Sequence, residues 1–244
     1  MMAYFTLTTI AAFGLIIGSF LTVCIYRIPL GREKGLLEGA ELVSDESDVA
    51  EPPEQQSSSK LTISNPKRSF CPSCNHQLAW WCNVPFFSWL FLRGKCHYCG
   101  VNIPFRYPLV EILSASFAVV SYLLYGLTPT GILIYVFAAT LIVISFIDID
   151  YYIIPNVISL PGTLIAILIA GINQFTGWFQ APVVPDLKAA GLGILAGAGF
   201  LFFISEVYLR LRKKEGLGMG DVKLLAMTGA LFGVQGSLST IFVG

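Results

Sequence analysis

The chain has 244 residues, of which 55% are hydrophobic and 12% charged, with 15 Lys+Arg balancing 15 Asp+Glu and a mean hydropathy of +0.72. Soluble domains carry about 25% charged residues, so half that fraction over this length points to a membrane protein. A secreted disulfide scaffold, a disordered chain and a nucleic-acid-binding domain are all disfavoured, and no nucleic-acid partner is expected.

Crossing the hydrocarbon core as a helix takes about 20 mostly apolar residues. The first such run covers 4–26. It lacks a basic start, its apolar run is too long for a cleaved signal, and no small-residue cleavage site follows, so it is expected to stay as a helix. Eight of the fifteen carboxylates then fall between Glu33 and Glu54, in a stretch of Gly, Pro, Ser and Gln without an aromatic residue. That composition predicts a flexible acidic linker over 29–60. A polar and aromatic block follows at 61–107, and after it come apolar runs at 109–127, 131–147, 157–173, 189–209 and 222–244. The last run reaches Gly244 with neither charge nor cap, from which the bundle is expected to be incomplete at its carboxy end.

Lys and Arg set the expected orientation. Arg27, Arg32, Lys34, Lys60, Lys67, Arg68, Arg93, Lys95 and Arg106 follow the first run, and Arg210, Arg212, Lys213 and Lys214 follow the fifth. With 27–108 inside, every basic residue except Lys188 is cytoplasmic, as the positive-inside rule favours, and the amino terminus is outside. The loops at 148–156 and 210–221 then face the cytoplasm too.

Cys71-Pro72-Ser73-Cys74 and Cys96-His97-Tyr98-Cys99 form two C-x2-C pairs separated by 21 residues. Each pair makes a tight knuckle that aims two thiolates at one point, and the spacer lets the second knuckle complete a tetrahedron, the pattern of a four-cysteine zinc ribbon. On a cytoplasmic loop disulfides are disfavoured, which also favours zinc, or iron in its place. Four thiolates leave no open position for water, so the metal is expected to be structural. His76 and His97 read as surface or second-shell groups and Cys24 as a small packing residue; Cys82 stays open.

Ionisable residues at membrane depth mark function by default. Glu111, Asp148, Asp150, Glu206 and Asp221 are the candidates. Asp148 ends the third span and Asp221 opens the sixth within Gly218-Met219-Gly220-Asp221. Two carboxyls sharing a site cannot both ionise readily, so one can act as general base while the other, protonated, polarises a carbonyl. The alternative is that both merely cap helices or form ion pairs, with Lys223 an obvious partner. Asp150 reads as solvated, Glu206 as facing the bundle or reaching the interface, and Glu111 as a helix-start charge suited to the dipole.

Taken together, these residues resemble the type IV prepilin leader peptidases, bifunctional Gly-x-Gly-Asp membrane aspartic peptidases of type IV pilus and type II secretion systems. Gly18-Ser19-Phe20-Leu21 with Tyr26-Arg27-Ile28-Pro29 looks like the family's first-helix motif. The cysteine block, with Leu92-Arg93-Gly94-Lys95, looks like its zinc-binding domain, followed by Arg106-Tyr107-Pro108-Leu109-Val110-Glu111. The resemblance implies Asp148 and Asp221 as the catalytic pair, and prepilins or pseudopilins as substrates, cut after a Gly that ends a short basic leader. It also implies N-methylation of the new amino terminus from S-adenosylmethionine, and an inner-membrane location. Thr22 stands where the family usually has Asn, Cys82 where a polar or charged residue is common before Asn83, and the six spans are fewer than usual.

The expected fold is an all-α polytopic membrane bundle with an inserted small zinc-ribbon-like cytoplasmic domain. Its parts are a first helix over 1–28, the linker, the Cys71, Cys74, Cys96 and Cys99 domain over 61–107, and a five-span peptidase core over 108–244. The rival readings are a peptidase without methyl transfer and a non-enzymatic zinc-ribbon scaffold or transporter.

Overall fold

A computed structural model describes residues 2–41, 69–71, 73–180, 183–213 and 218–243. The described residues form helices and turns, with two isolated β-bridges and no strand. The helices are α1 (Met2–Glu41), α2 (Phe87–Phe91), α3 (Arg106–Tyr125), α4 (Pro129–Tyr151), α5 (Asn156–Thr176), α6 (Leu187–Ile194), α7 (Phe200–Arg212) and α8 (Met219–Val243). A 3₁₀ turn lies at Trp80–Asn83, and a π-helical stretch at Leu195–Gly199 joins α6 to α7.

Six helical segments are long and apolar enough to cross a membrane: Tyr4–Pro29, Arg106–Tyr125, Pro129–Tyr151, Asn156–Thr176, Leu187–Arg212 and Met219–Phe242. They coincide with the six runs expected from hydropathy. Polarity along them is inverted relative to a water-soluble bundle. Phe5, Leu164 and Phe203 stand exposed, whereas Ser114, Ser159 and Ser237 are fully buried. That is the arrangement of helices bathed in hydrocarbon, where small and polar residues make the helix contacts.

The helix α1 runs past the end expected for the first span and continues to Glu41. Residues 29–41, read from composition as linker, are therefore helical, and 42–60 lie outside the described residues. Arg27 ends the apolar run without ending the helix, because it is buried at 7% exposure. A charge limits how far a segment suits lipid, not how far its backbone hydrogen bonds continue.

The chain divides into two compact units, Met1–Leu123 with Leu141–Ile147, and Leu124–Thr140 with Asp148–Gly244. In the first, α1 lies against α3 at backbone distance. A Cβ on Gly18 would sit 2.6 Å from the Glu111 Cα, and one on Gly14 would sit 2.6 Å from the Ala115 Cα. The Ser114 hydroxyl donates to the Gly14 carbonyl at 2.8 Å. The α4 segment of this unit is held by Arg106, which donates to the Phe146 carbonyl at 2.8 Å and lies over its ring.

In the second unit, α8 is the central element, packed on α5 and α6. Ala166, Ala230 and Leu231 form one buried cluster, where the Phe137 and Phe232 rings meet edge to face at 4.9 Å. Ala198, Val222 and Leu225 form another. Between α6 and α8 the backbones touch: a Cβ on Gly193 would run into the Gly229 carbonyl, and Ser237 Oγ donates to the Gly193 carbonyl at 2.8 Å. Gly233 leaves the helical region inside α8, at φ 66° and ψ −160°, a conformation open to glycine.

Candidate functional site

The two cysteine knuckles are built alike. Phe70 bridges Gln77 around Cys71 and Cys74, and Lys95 bridges Asn102 around Cys96 and Cys99. The Cys71 N–H donates to the His76 carbonyl at 3.0 Å and the Asn75 N–H returns to Cys71 at 2.8 Å. In the second knuckle the Cys96 N–H donates to Val101 at 2.8 Å and the Gly100 N–H returns to Cys96 at 3.0 Å. The turn requires positive φ after the second cysteine, supplied by Asn75 at 53° and Gly100 at 72°.

All four thiol sulfurs lie within 4.8 Å of one another, with Cys71 and Cys99 at 3.9 Å. Thiolates about 2.3 Å from a tetrahedral zinc stand roughly 3.8 Å apart, so the donor set fits that ion. The thiols also act on one another. Burial works to raise the Cys71 thiol, but the Cys74 and Ser73 backbone N–H groups and the facing thiols of Cys74 and Cys96 bring it down to about 7. At Cys99 the Val101 N–H works to lower the thiol, but desolvation and the facing Cys96, Cys74 and Cys71 push it up to about 11. Four thiolates at this spacing repel, and a cation at their centre removes the conflict. His76 packs against Tyr98 and His97 against Trp81, and neither belongs to the sulfur cluster.

The aspartates come from two helix ends in the second unit. Asp148 lies in the last turn of α4, where Tyr152 takes φ 54° and its N–H closes on the Asp148 carbonyl at 2.8 Å. Asp221 lies in the first turn of α8, its N–H returning to Gly218 at 3.1 Å. Gly220 sets the approach of these segments, because a Cβ there would lie 2.9 Å from the Ile154 Cβ. Lys223 Nζ donates to Asn156 Oδ1 at 2.7 Å, a second tie from α8 to the same loop. Lys223, an obvious ion-pair partner for the aspartates in the sequence, is thus engaged with an amide. Asp148 and Asp221 are both exposed. Asp150 is exposed as expected.

Glu206, expected to face the bundle or reach the interface, stands on the surface and pairs with Arg210, one turn on, at 2.9 Å, whereas Glu111 differs from expectation. Glu111 is buried at 8% exposure, in the second turn of α3, and its Oε2 accepts the Phe86 N–H at 2.6 Å. It does not cap a helix start, because α3 begins at Arg106. It anchors instead the chain entering α2, where Phe86 takes φ 59°.

Beside the knuckles lies a cavity of about 260 Å³, lined among others by Tyr26, Arg27, Asn83, Trp89, Tyr107 and Glu111. Cys82 lines it as well, and burial pushes that thiol up, leaving it a neutral side chain.

Residues 12–125 match the family described as Bacterial Peptidase A24 N-terminal domain, and residues 135–244 match the Type IV leader peptidase family. The prepilin leader peptidase/N-methyltransferase of Neisseria gonorrhoeae is 36% identical over 243 residues, covering 98% of this chain and 78% of the relative. The chain belongs to the type IV leader peptidase family. Other members of the same printed name occur in Aeromonas salmonicida, 37% identical over 237 residues (95% of this chain, 74% of the relative), and Burkholderia pseudomallei strain 1026b, 35% identical over 221 residues (90% and 67%). No solved structure matches the chain.

As a type IV leader peptidase family member with six membrane-capable helices, the protein is a multi-pass membrane protein. Sequence reasoning left three features of this family member unread: the Glu111 to Phe86 bond, the seat of Gly220 on Ile154, and the cavity. Only the second had a signal, the glycine preceding Asp221, whose contact partner lies 66 residues away.

Proposed function

We propose that this protein is an inner-membrane enzyme that removes the short basic leader from prepilins or pseudopilins at the cytoplasmic face and then N-methylates the new amino terminus. The reading draws on relatives that carry both activities in their names, several with three quarters of their length matched. Asp148 and Asp221 form the catalytic pair. The ionised aspartate takes a proton from water while the protonated one polarises the scissile carbonyl, and the tetrahedral adduct collapses as the leaving amine is protonated. Gly218 and Gly220 leave room for a substrate backbone beside Asp221.

The observation that carries the peptidase assignment is the seat of Gly220 on Ile154, which draws the Asp221 turn against the loop following Asp148. The exposure of both carboxylates supports it, since water and substrate must reach them.

Cys71, Cys74, Cys96 and Cys99 hold a structural zinc ion, which fixes the two knuckles to each other. S-Adenosylmethionine, when bound, supplies an electrophilic methyl group to the freed amine. The amino terminus lies in the periplasm and the zinc domain in the cytoplasm, in accord with the basic residues.

The test is incubation of the purified protein in detergent with a prepilin and S-adenosylmethionine, without an energy source. Loss of the leader and one added methyl group on the mature terminus are expected by mass spectrometry. Cleavage without the methyl group would leave a peptidase alone, and an intact leader would overturn the reading.

A further inference from the structure

The 3₁₀ turn at Trp80–Asn83 and the helix α2 contain no buried residue. Phe87, Leu90 and Phe91 fall at i, i+3 and i+4 of α2 and so share one face, where they are 48%, 53% and 81% exposed. Trp80, in the turn that packs beside α2, is 81% exposed. Large apolar groups gathered in so short a segment are costly to leave in water, and such a patch marks a surface that something covers.

Two ties hold α2 at the foot of α3. The Phe86 N–H, just before α2, donates to Glu111 Oε2 at 2.6 Å. Trp89, on the other face of α2 from Phe87 and Phe91, donates from Nε1 to the Ile103 carbonyl at 3.0 Å and meets the Phe105 ring edge to face. The α3 span begins at Arg106, and at a rise of about 1.5 Å per residue Glu111 lies about 7.5 Å along it. The polar layer on each side of the hydrocarbon is about 5–7 Å deep, so the start of α2 sits at the level where headgroups meet acyl chains.

Charge selects the same partner. Residues 55–110 hold Lys60, Lys67, Arg68, Arg93, Lys95 and Arg106 and not one Asp or Glu. A zinc ion held by four thiolates carries a net charge of about −2, which leaves the segment basic. Arg93 and Lys95 follow α2 directly and are exposed. Rings beside Lys and Arg make an interfacial anchor, the rings at the acyl boundary and the cations at lipid phosphates. The short basic leader of the proposed substrate would meet like charge here, so charge disfavours it as the occupant.

We propose that the exposed face of α2, with Trp80, lies in the interface of an anionic bilayer, where Phe87, Leu90 and Phe91 reach the acyl boundary and Arg93 and Lys95 meet lipid phosphates. The zinc domain is thereby anchored to lipid as well as to α1 and α3. The inference goes beyond the peptidase reading and uses none of its catalytic residues.

Photo-crosslinking of the full, zinc-loaded protein in lipid nanodiscs tests this. Photoreactive benzoylphenylalanine in place of Phe91 should give lipid adducts by mass spectrometry, with a yield about fivefold or more higher in phosphatidylglycerol than in phosphatidylcholine. The same group in place of Phe13, exposed within the first span, should label lipid equally in both. Adding Arg93→Gln and Lys95→Gln should remove the excess at residue 91. Zinc content of each variant reports that the domain is folded. The unmodified protein gives an independent reading, since amide hydrogen exchange over 84–95 should be slower in phosphatidylglycerol discs than in phosphatidylcholine discs. No lipid adduct at residue 91, equal yields in the two lipids, or an adduct to added prepilin in place of lipid would overturn the proposal.

Discussion

Gly220 rests on Ile154 so closely that a Cβ at residue 220 would come within 2.9 Å of the Ile154 Cβ. Because Asp221 is the next residue and Ile154 follows Asp148 by six, this contact sets how the α8 start meets the α4 end. Gly220→Ala should therefore move the Asp221 turn rather than unfold the protein. A shift of about 1 Å in a reacting group can cost on the order of 100-fold in rate. Prepilin cleavage should fall by roughly that factor, with zinc content retained. Wild-type cleavage in the variant would show that the contact positions nothing.

The α6–α8 interface is expected to be the least tolerant part of the second unit. Gly193 meets Gly229 and Gly233 at backbone level, and backbone cannot retract as a side chain can. Overpacking costs typically about 1–3 kcal/mol and more where backbone must move. Gly193→Val should lower thermal stability in detergent by at least that range, whereas Gly191→Ala, at a position where a Cβ meets nothing within 4 Å, should lower it little.

Glu111→Ala leaves the Phe86 N–H without its acceptor. Losing the partner of a fully buried donor costs about 1–3 kcal/mol, and this part-buried one should cost toward the lower end of that range. Chemical or thermal unfolding followed through zinc release should register that loss. Arg210→Ala provides the contrast. Its pair with Glu206 is exposed and one helical turn apart, a geometry worth about 0.3–0.5 kcal/mol, so stability should be nearly unchanged.

Zinc removal should act on fold first. Cys71→Ser or Cys99→Ser, or prolonged chelation, should reduce expression and stability, with cleavage declining as a consequence. A metal-free protein that kept its fold and lost cleavage alone would contradict a structural ion.

Much of this was legible in the amino-acid order because the signals are local. A run of apolar residues long enough to span lipid is visible in a window, and two C-x2-C pairs announce their turns by spacing alone. The four sulfurs duly converge, through two knuckles with matching hydrogen bonds. The features that escaped depend on partners distant in sequence. Arg27 looked like the end of a helix because charge normally ends a hydrophobic run, yet it is buried within α1. Glu111 looked like a dipole-stabilising residue until α3 proved to start five residues earlier and Phe86 proved to be its partner. Glu206 left two outcomes open, facing the bundle or reaching the interface, and its pair with Arg210 one turn along puts it on the surface. Nothing in the order of residues announces a π-helical stretch at Leu195–Gly199 or the break at Gly233, since both answer to packing against another helix.

The central claim is that Asp148 and Asp221 act as one catalytic pair. The direct measurement is prepilin cleavage by purified, zinc-loaded Asp148→Asn and Asp221→Asn variants, each close in size to the native residue but unable to serve as a base. Both should leave the leader attached under conditions in which the parent protein removes it completely, while retaining zinc and thermal stability. Substantial cleavage by either variant would contradict the account.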